Sequence, residues 1–315
     1  MFETINPFIM LFSSSPKIVQ HVYQKSAHGE IIFYSSRDAI VYFTILCVCA
    51  RMYGIRPIML CLMADHIHGL YPVKERKSLS AFVRECTKRF AFEFNTDSNR
   101  SGQLFKQCFG SAAKVGGKQI RSINAYVANN PVEKRLCFRA EEYRWNFLAY
   151  FASRNPFSEK LVLRKSGAEM RKAFSIIRDM RNRDLPVNYR TYDRITEKLC
   201  RTEKQQLIDY IINNYNVIDY ECLLSSYTSY EGMLDAFANT KGAEYDIEEE
   251  FDSYSNRNYG RMTAYLKEKG NLVEPKEVIR LPIDKRRAFA KLLISRGGFS
   301  EYQVRKYLHL CVESK

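Results

Sequence analysis

The first 150 residues alternate between the two-residue period of β-strands and the 3.6-residue period of amphipathic helices. Strand patterns occupy residues 17–27, 56–73 and 104–115. Helix patterns occupy residues 37–52, 78–95 and 118–129. Ser36 is the expected N-cap of the first helix, Gly54 its C-terminal glycine, and Pro131 the residue that stops the third. We therefore predict an α+β fold, a small sheet with helices packed on it.

The chain beyond residue 150 has mainly helical patterns. Residues 281–310 predict two helices separated by a glycine turn at 297–298. Their apolar spacing is typical of a helix-turn-helix, whose second helix would present Gln303, Arg305 and Lys306 to a DNA groove. A short helical hairpin without any DNA contact is the alternative.

The charge of the chain predicts a polyanionic partner. Lys and Arg number 49 against 35 Asp and Glu, a net charge of +14. Such a balance favours nucleic acid or an anionic membrane surface as partner. Residues 166–184 predict a basic helix, whereas residues 205–258 carry eleven acidic and two basic residues. The acidic core at 244–253 is either a solvated linker or an element that covers a basic groove.

The apolar segments predict a cytoplasmic protein. No apolar run approaches the roughly 18 to 20 residues of a spanning helix, which argues against a transmembrane protein. The opening segment lacks a basic start and contains Pro7, so it is a poor secretory signal. The nine cysteines include no C-x-x-C, which favours reduced, buried thiols over disulfides or a structural zinc site.

His66 and His68 stand two positions apart on a predicted strand. Alternate residues of a strand project from the same face, so the two imidazoles could converge on one divalent cation. Ile67 would then pack into the opposite face. An H-x-H pair is a weak signal by itself, and a chance pair is the alternative.

Tyr126 and Asn130 stand four positions apart on a predicted helix and therefore share one of its faces. Asn130 precedes Pro131, which biases it away from helical geometry and predicts a frayed last turn. A packing tyrosine followed by an ordinary Asn-Pro helix stop is the alternative.

These motifs together resemble a known family. Four motifs in order along the chain resemble those of the single-tyrosine HUH transposases, in particular the REP-associated tyrosine transposase-like branch. These motifs are M-A-D-H-I-H-G-L-Y, G-Q-L-F-K-Q, A-Y-V-A-N-N-P-V and E-E-Y-R-W-N. The resemblance covers about residues 15–150. It departs from the family at Asp65, where asparagine is usual, and at Gly69, where leucine is usual.

The resemblance implies an antiparallel sheet with helices packed on it, the HUH ferredoxin-like nuclease fold. It further implies that His66 and His68 are metal ligands, that Tyr126 is the nucleophile and that Asn130 is the candidate third ligand. The expected cofactor is Mg²⁺ or Mn²⁺, which suits a site that keeps room for phosphate oxygens and water. The expected partner is single-stranded or hairpin DNA rather than a membrane or a small molecule, bound by a monomer or a homodimer that would be nucleoid-associated.

The chemistry agrees with this interpretation. A phenol has an ordinary pKa of about 10 and is a poor nucleophile at neutral pH, and a nearby cation lowers that pKa. Attack by Tyr126 on a phosphodiester would give a 5′-phosphotyrosine and a free 3′-hydroxyl, and the step is reversible. A domesticated repeat-DNA-binding or regulatory protein that retains the fold and cleaves little is the alternative. Relaxases and plasmid replication initiators usually show a three-histidine signature motif or paired tyrosines, and neither motif appears here.

Basic residues near these motifs are candidate phosphate contacts for single-stranded DNA. The candidates are Arg84, Lys88, Arg89, Lys106, Lys114, Lys118 and Arg121.

Four segments are expected: a catalytic domain at 1–150, a mainly helical extension at 151–243, an acidic linker at 244–258, and a helical region with the candidate helix-turn-helix at 259–315.

Overall fold

The structure, a computed structural model, describes residues 15–73, 75–240, 255–270 and 274–310. Its strands are β1 (Ile18–Lys25), β2 (Met59–Leu62), β3 (His66–Tyr71) and β4 (Gly110–Val115). Its first three helices are α1 (Ser36–Tyr53), α2 (Arg76–Asp97) and α3 (Gly116–Glu133). The later helices are α4 (Ala168–Asn182), α5 (Tyr189–Thr196), α6 (Arg201–Tyr215), α7 (Tyr220–Leu224), α8 (Tyr230–Asn239), α9 (Arg257–Gly270), α10 (Ile283–Ser295) and α11 (Glu301–Tyr307). The acidic core predicted at 244–253 lies outside the described residues.

The four strands form one antiparallel sheet in the order β2-β3-β1-β4. The predicted fold class, an α+β fold with helices on an antiparallel sheet and a helical C-terminal region, is confirmed. β1 is central and pairs with both β3 and β4, so that His21 lies opposite Leu70 on one side and Ala112 on the other.

The segment 56–73 forms a hairpin instead of the single strand that its apolar pattern predicts. Residues 63–65 turn the chain between β2 and β3, and the amide of Met63 donates to the carbonyl of His66 at 2.9 Å. Because helices cover both faces of this sheet, the residues before and after the turn are mostly apolar. The apolar pattern therefore shows no break at the turn. The third predicted strand is also shorter, since only its second half joins the sheet as β4.

The helix ends differ from the predicted ones by small amounts. The N-cap of α1 is Ser35 rather than Ser36, and its hydroxyl accepts from the amide of Arg37 at 3.3 Å. Gly54 ends α1 in the left-handed conformation, as predicted. Pro131 lies inside the last turn of α3 instead of stopping the helix. A proline this close to the end of a helix removes only one backbone hydrogen bond, so the last turn still forms. Asn130 is therefore helical.

The two faces of the sheet carry different helices. Val22, Leu60 and Ile67 pack with α1 and α2, whereas Val19 and Leu70 pack with α3 on the opposite face. The α2 face also has room for an aromatic ring over the backbone of Gly69. A Cβ atom at Gly69 would lie 2.5 Å from the hydroxyl oxygen of Tyr71, which explains glycine at that position.

The later helices pack on both layers of this sheet domain. α5 and α6 contact α1, and α8 contacts α3. The segment 274–310 lies against the loop before α1, where the carbonyl of Ile31 accepts from His309 at 2.8 Å and the hydroxyl of Tyr34 donates to the carbonyl of Tyr307. One hydrophobic core runs from Val22 to Leu308 through these contacts. Within the described ranges, no helix has the length and apolar character needed to cross a membrane.

Candidate active site

The two histidines of β3 lie on the sheet face that α3 covers. His66 and His68 are two positions apart on one strand, so both side chains leave the sheet on the same side. His68 pairs directly with Cys61, which belongs to the core on the α3 side. The two ring centroids are 4.9 Å apart, and the rings are nearly perpendicular. His68 is fully buried, whereas the His66 side chain keeps 15% of its exposure.

Helix α3 carries Tyr126 and Asn130 on the face that meets these histidines. The centroid of the Tyr126 ring lies 5.5 Å from that of His68, edge to face. The side-chain nitrogen Nδ2 of Asn130 lies 3.3 Å from Nε2 of His68. Tyr126 and Asn130 are both buried, at 8% and 6% exposure. The four residues selected from the sequence therefore meet at one place within a single chain.

His21 also lies at this place, although the sequence did not single it out. Its Nε2 atom is 3.0 Å from Nδ1 of His68, and its ring centroid is 5.9 Å from that of Tyr126. The alternation along β1 puts His21 on one face with Val19, which is a visible signal in the sequence. Only the pairing of β1 with β3 shows that this face is also that of His68.

Burial keeps the imidazoles of His21 and His68 uncharged. Burial, followed by the charge of Lys114, lowers the pKa of His21 to about 3. Burial and then the neighbouring histidines lower the pKa of His68 well below its ordinary value. A neutral imidazole has a nitrogen lone pair, which is the form that binds a metal ion. When Nδ1–H of His68 donates to Nε2 of His21, that lone pair belongs to Nε2 of His68.

The donor set fits a divalent cation of the expected kind. Oδ1 of Asp65 lies 2.7 Å from Nδ1 of His66, which leaves Nε2 of His66 for a ligand. Nε2 of His68 faces the amide of Asn130, and a half-turn of that amide replaces its nitrogen by its oxygen. Two imidazoles and one amide oxygen leave coordination positions for phosphate oxygens and water. Among the residues with described positions, no cluster of three or more His, Cys, Asp or Glu side chains is arranged to hold a metal ion.

Two lysines flank the site on β1 and β4. Lys25 is the direct cross-strand partner of His66, and Lys114 is that of Val19, so both side chains belong to the histidine face. The sequence singled out Lys114 but missed Lys25. Lys118 and Arg121 are exposed on the first two turns of α3, the helix of Tyr126.

The basic residues of α2 lie in the other layer. Arg84, Lys88 and Arg89 belong to a helix whose buried face packs with α1, on the sheet side opposite Tyr126. Arg89 also pairs with Glu85 at 2.7 Å. They lie on the helix that follows the histidine strand, as expected, but this helix covers the sheet face opposite Tyr126, and their role as DNA contacts stays a prediction. Lys106 is exposed beyond the end of β1, and its amide donates to the carbonyl of Lys25 at 2.9 Å.

Helices α10 and α11 form the predicted helical pair, but α11 does not present the expected side chains. Gln303 is fully buried, and its amide contacts the side chain of Asn258 at 2.8 Å. Lys306 is also buried and pairs with Asp65. The outward orientation predicted for these two residues is wrong, because their polar atoms are satisfied inside the fold. Arg305 does face outward, where it pairs with Glu301 at 2.8 Å.

Comparison with known protein families matches the segment that contains most of this site. Residues 30–130 fit the family model described as "Transposase IS200 like". This model describes a transposase-type nuclease domain. No curated protein matches the chain, and neither does any solved structure. This family match confirms, for residues 30–130, the resemblance to the single-tyrosine HUH transposases noted from the sequence. The matched segment contains His66, His68, Tyr126 and Asn130, whereas His21 and Lys306 lie outside it.

Proposed function

We propose that this protein is a metal-dependent endonuclease and strand transferase for single-stranded DNA, with Tyr126 as the nucleophile. The observation that carries the proposal is the meeting of the Tyr126 ring with His68 at 5.5 Å, next to the amide of Asn130. A core that only packed well would have little reason to bury two neutral imidazoles and an asparagine together beneath a phenol.

His66, His68 and Asn130 would hold the cation, Mg²⁺ or Mn²⁺. When bound, the cation lowers the pKa of the phenol and withdraws charge from the scissile phosphate. The phenol of Tyr126 gives its proton to water and its oxygen forms a bond to phosphorus while the bond to the 3′-oxygen breaks, and the leaving 3′-oxygen takes a proton from water. The products are a 5′-phosphotyrosine and a 3′-hydroxyl, and attack of a 3′-hydroxyl on the same phosphorus reverses the step.

The charges around the site favour DNA as substrate. Lys25 and Lys114 share the sheet face of the histidines, while Lys118 and Arg121 are exposed on the helix of Tyr126. Cations placed in this way bind phosphates without reading bases, which suits an unpaired strand. A hairpin with a single-stranded flank is the expected form of the substrate, by resemblance to the family.

A second candidate function is that of a repeat-DNA-binding protein that retains the fold and cleaves little. The observation in its favour is the burial of the site, since Tyr126 is only 8% exposed and His68 is fully buried. Such a protein would bind hairpin DNA with the same basic residues and give no covalent product.

One experiment separates the two functions. The full chain is incubated with labelled single-stranded hairpin DNA and Mn²⁺, and the products are run on a denaturing gel. The proposal expects a protein–DNA adduct that Tyr126→Phe abolishes without loss of DNA binding. The control is Tyr143→Phe, since the Tyr143 hydroxyl donates to the carbonyl of Leu62 and is not at the site. An adduct that persists in Tyr126→Phe would refute the nucleophile, and binding without any adduct in the unmodified chain would favour the second function.

A further inference from the structure

A buried lysine from the C-terminal segment reaches the histidine strand. Nζ of Lys306, on α11, lies 2.5 Å from Oδ2 of Asp65, and the other oxygen of that carboxylate, Oδ1, lies 2.7 Å from Nδ1 of His66. The three side chains are all mostly buried, at 6%, 16% and 15% exposure. They form a continuous hydrogen-bonded row from α11 to the candidate metal ligand.

Lys306 and Asp65 form a buried ion pair within this row. Asp65 faces the ammonium group of Lys306 at 2.5 Å, and a buried carboxylate is stabilised by a charged partner of this kind. Burial opposes the charge of Lys306, yet Asp65 raises the pKa of that ammonium group. Asp65 is therefore a carboxylate, which accepts from Nδ1–H of His66 more strongly than a neutral group would.

The backbone around Lys306 holds its side chain in place. Its carbonyl accepts from the amide of Ile31 at 3.2 Å, which ties α11 to the loop that leads into α1. Its ammonium group also lies 5.1 Å from the ring of Tyr302, within the range of a cation–π interaction. The lysine is thus fixed by contacts on both its backbone and its side chain, although 241 positions separate it from Asp65.

We propose that Lys306 is a positioning residue: it fixes the Asp65 carboxylate so that His66 keeps its proton on Nδ1 and offers the lone pair of Nε2. A hydrogen bond at one ring nitrogen sets which nitrogen is free to bind a metal ion. For the role of His66 as a ligand, the inference rests on the proposed function. For the tautomer itself it rests only on the row of contacts.

This assignment gives the C-terminal segment a part in the chemistry. Residues 274–310 lie outside the matched family segment, yet through Lys306 they set the state of a side chain inside it. The candidate helix-turn-helix would then act inward, on the histidine strand, through a residue that its sequence pattern directs toward DNA.

The first test uses the metal-free full chain and reads the tautomer directly. Two-dimensional ¹H–¹⁵N spectra of the histidine rings are recorded at about pH 8, above the ordinary histidine pKa of about 6.5. We expect His66 of the unmodified protein to show a single Nδ1–H tautomer. Lys306→Met should give a mixture of both tautomers, and Lys306→Arg, which keeps the charge and the donors, should retain the single one.

The second test measures Mn²⁺ affinity. Lys306→Met is expected to raise the Kd for Mn²⁺ about 10-fold to 100-fold, the usual effect of losing a group that orients a metal-binding histidine. The matched control is Lys276→Met. Lys276 is equally buried on the same C-terminal segment, but it pairs with Asp38 at 3.1 Å and Asp97 at 2.9 Å, and among the described residues neither carboxylate is hydrogen-bonded to a histidine. Lys276→Met should leave the Kd within about twofold of the original value.

The outcomes separate the inference from the proposed function. A mixed tautomer in Lys306→Met with no Mn²⁺ binding to the unmodified chain would support the row of contacts and count against the metal-dependent function. A single Nδ1–H tautomer and an unchanged Kd in Lys306→Met would overturn the inference. If Lys306→Met does not fold, Lys306→Gln, which is one atom shorter and offers only a neutral donor, is used instead, and the same two readouts are expected to change in the same direction. Retention of the original tautomer in Lys306→Gln would overturn the inference as well.

Discussion

Nε2 of His21 lies 3.0 Å from Nδ1 of His68, between neighbouring strands of the sheet. Both rings are buried and neutral, so one of the two nitrogens in this contact carries the proton and the other accepts it. Donation from His68 leaves the lone pair of its Nε2 toward Asn130. His21 thereby does for His68 what Asp65 does for His66.

Replacement of His21 should weaken metal binding without removing a ligand. We expect His21→Leu to raise the Kd for Mn²⁺ about 10-fold to 100-fold, because Nδ1 of His68 loses its partner. His21→Gln, whose amide oxygen can accept the same proton, should lie within a few-fold of the original protein. Isothermal titration with Mn²⁺ measures both.

The control for these variants is His309→Leu. His309 is another buried histidine, but its Nε2 bonds to the carbonyl of Ile31 instead of a histidine. Its replacement should change stability and leave the Kd for Mn²⁺ unaltered. Equal affinities for the original protein and His21→Leu would show that His21 is an ordinary packing residue.

The two layers of the fold predict which basic residues bind DNA. Lys25→Ala and Lys114→Ala should each weaken binding to a single strand and each lower the slope of log K against log salt by about 0.7, as expected for one lost phosphate contact. Arg84→Ala and Lys88→Ala, on the α2 layer, should leave both affinity and slope unchanged. Fluorescence anisotropy over a series of salt concentrations gives the four slopes. If the α2 variants lose as much DNA affinity as the sheet variants, the assignment of the DNA to the histidine face is contradicted.

Asp97 predicts how the C-terminal segment responds to acid. It pairs with Arg37 at 2.6 Å and Lys276 at 2.9 Å, and although burial raises its pKa, these cations outweigh burial and lower it to about 2. An unfolded aspartate has a pKa of about 3.9, so Asp97 contributes about 2 to 3 kcal/mol to stability above about pH 4. That contribution is lost as the pH falls through about 2.

The expected result is a change in the pH dependence of unfolding. Asp97→Asn should lower the free energy of unfolding at neutral pH by about 2 kcal/mol and flatten its decrease between about pH 4 and pH 2. Denaturant titrations at several pH values measure this. Asp179→Asn is the control, since the Asp179 pair with Arg183 is exposed and should contribute less than about 1 kcal/mol. An acid profile of Asp97→Asn that parallels the original one would disprove the assignment.

Local patterns predicted the parts of the site that lie within one element. The pair His66 and His68 shares a face because a strand alternates, and the pair Tyr126 and Asn130 shares a face because a helix repeats. Both statements follow from spacing alone and hold in the structure. The order of the motifs along the chain then suggested that the two pairs meet, which the antiparallel sheet and the packing of α3 on it make possible.

Relationships between elements were outside the reach of the sequence. The face of β1 that carries His21 is set by the register of Gln20 with Tyr71, and a shift by one residue would turn it away. The layer of α2 depends on which side of the sheet the chain crosses, which its amphipathic pattern does not specify. Lysine is a residue type that is usually exposed, so the sequence favours a DNA-facing position for Lys306. The free-energy cost of burying its charge is offset only by the ion pair with Asp65.

The position of a bound cation tests the central claim most directly. Crystals of the full chain soaked with Mn²⁺ would be measured at a wavelength where manganese scatters anomalously. We predict one strong peak within bonding distance of Nε2 of His66 and Nε2 of His68 and beside the side chain of Asn130, with the Tyr126 hydroxyl facing it. His66→Ala crystals should lose that peak. A manganese peak that avoids both histidines, or that is held by one of them while Tyr126 faces elsewhere, would contradict the account.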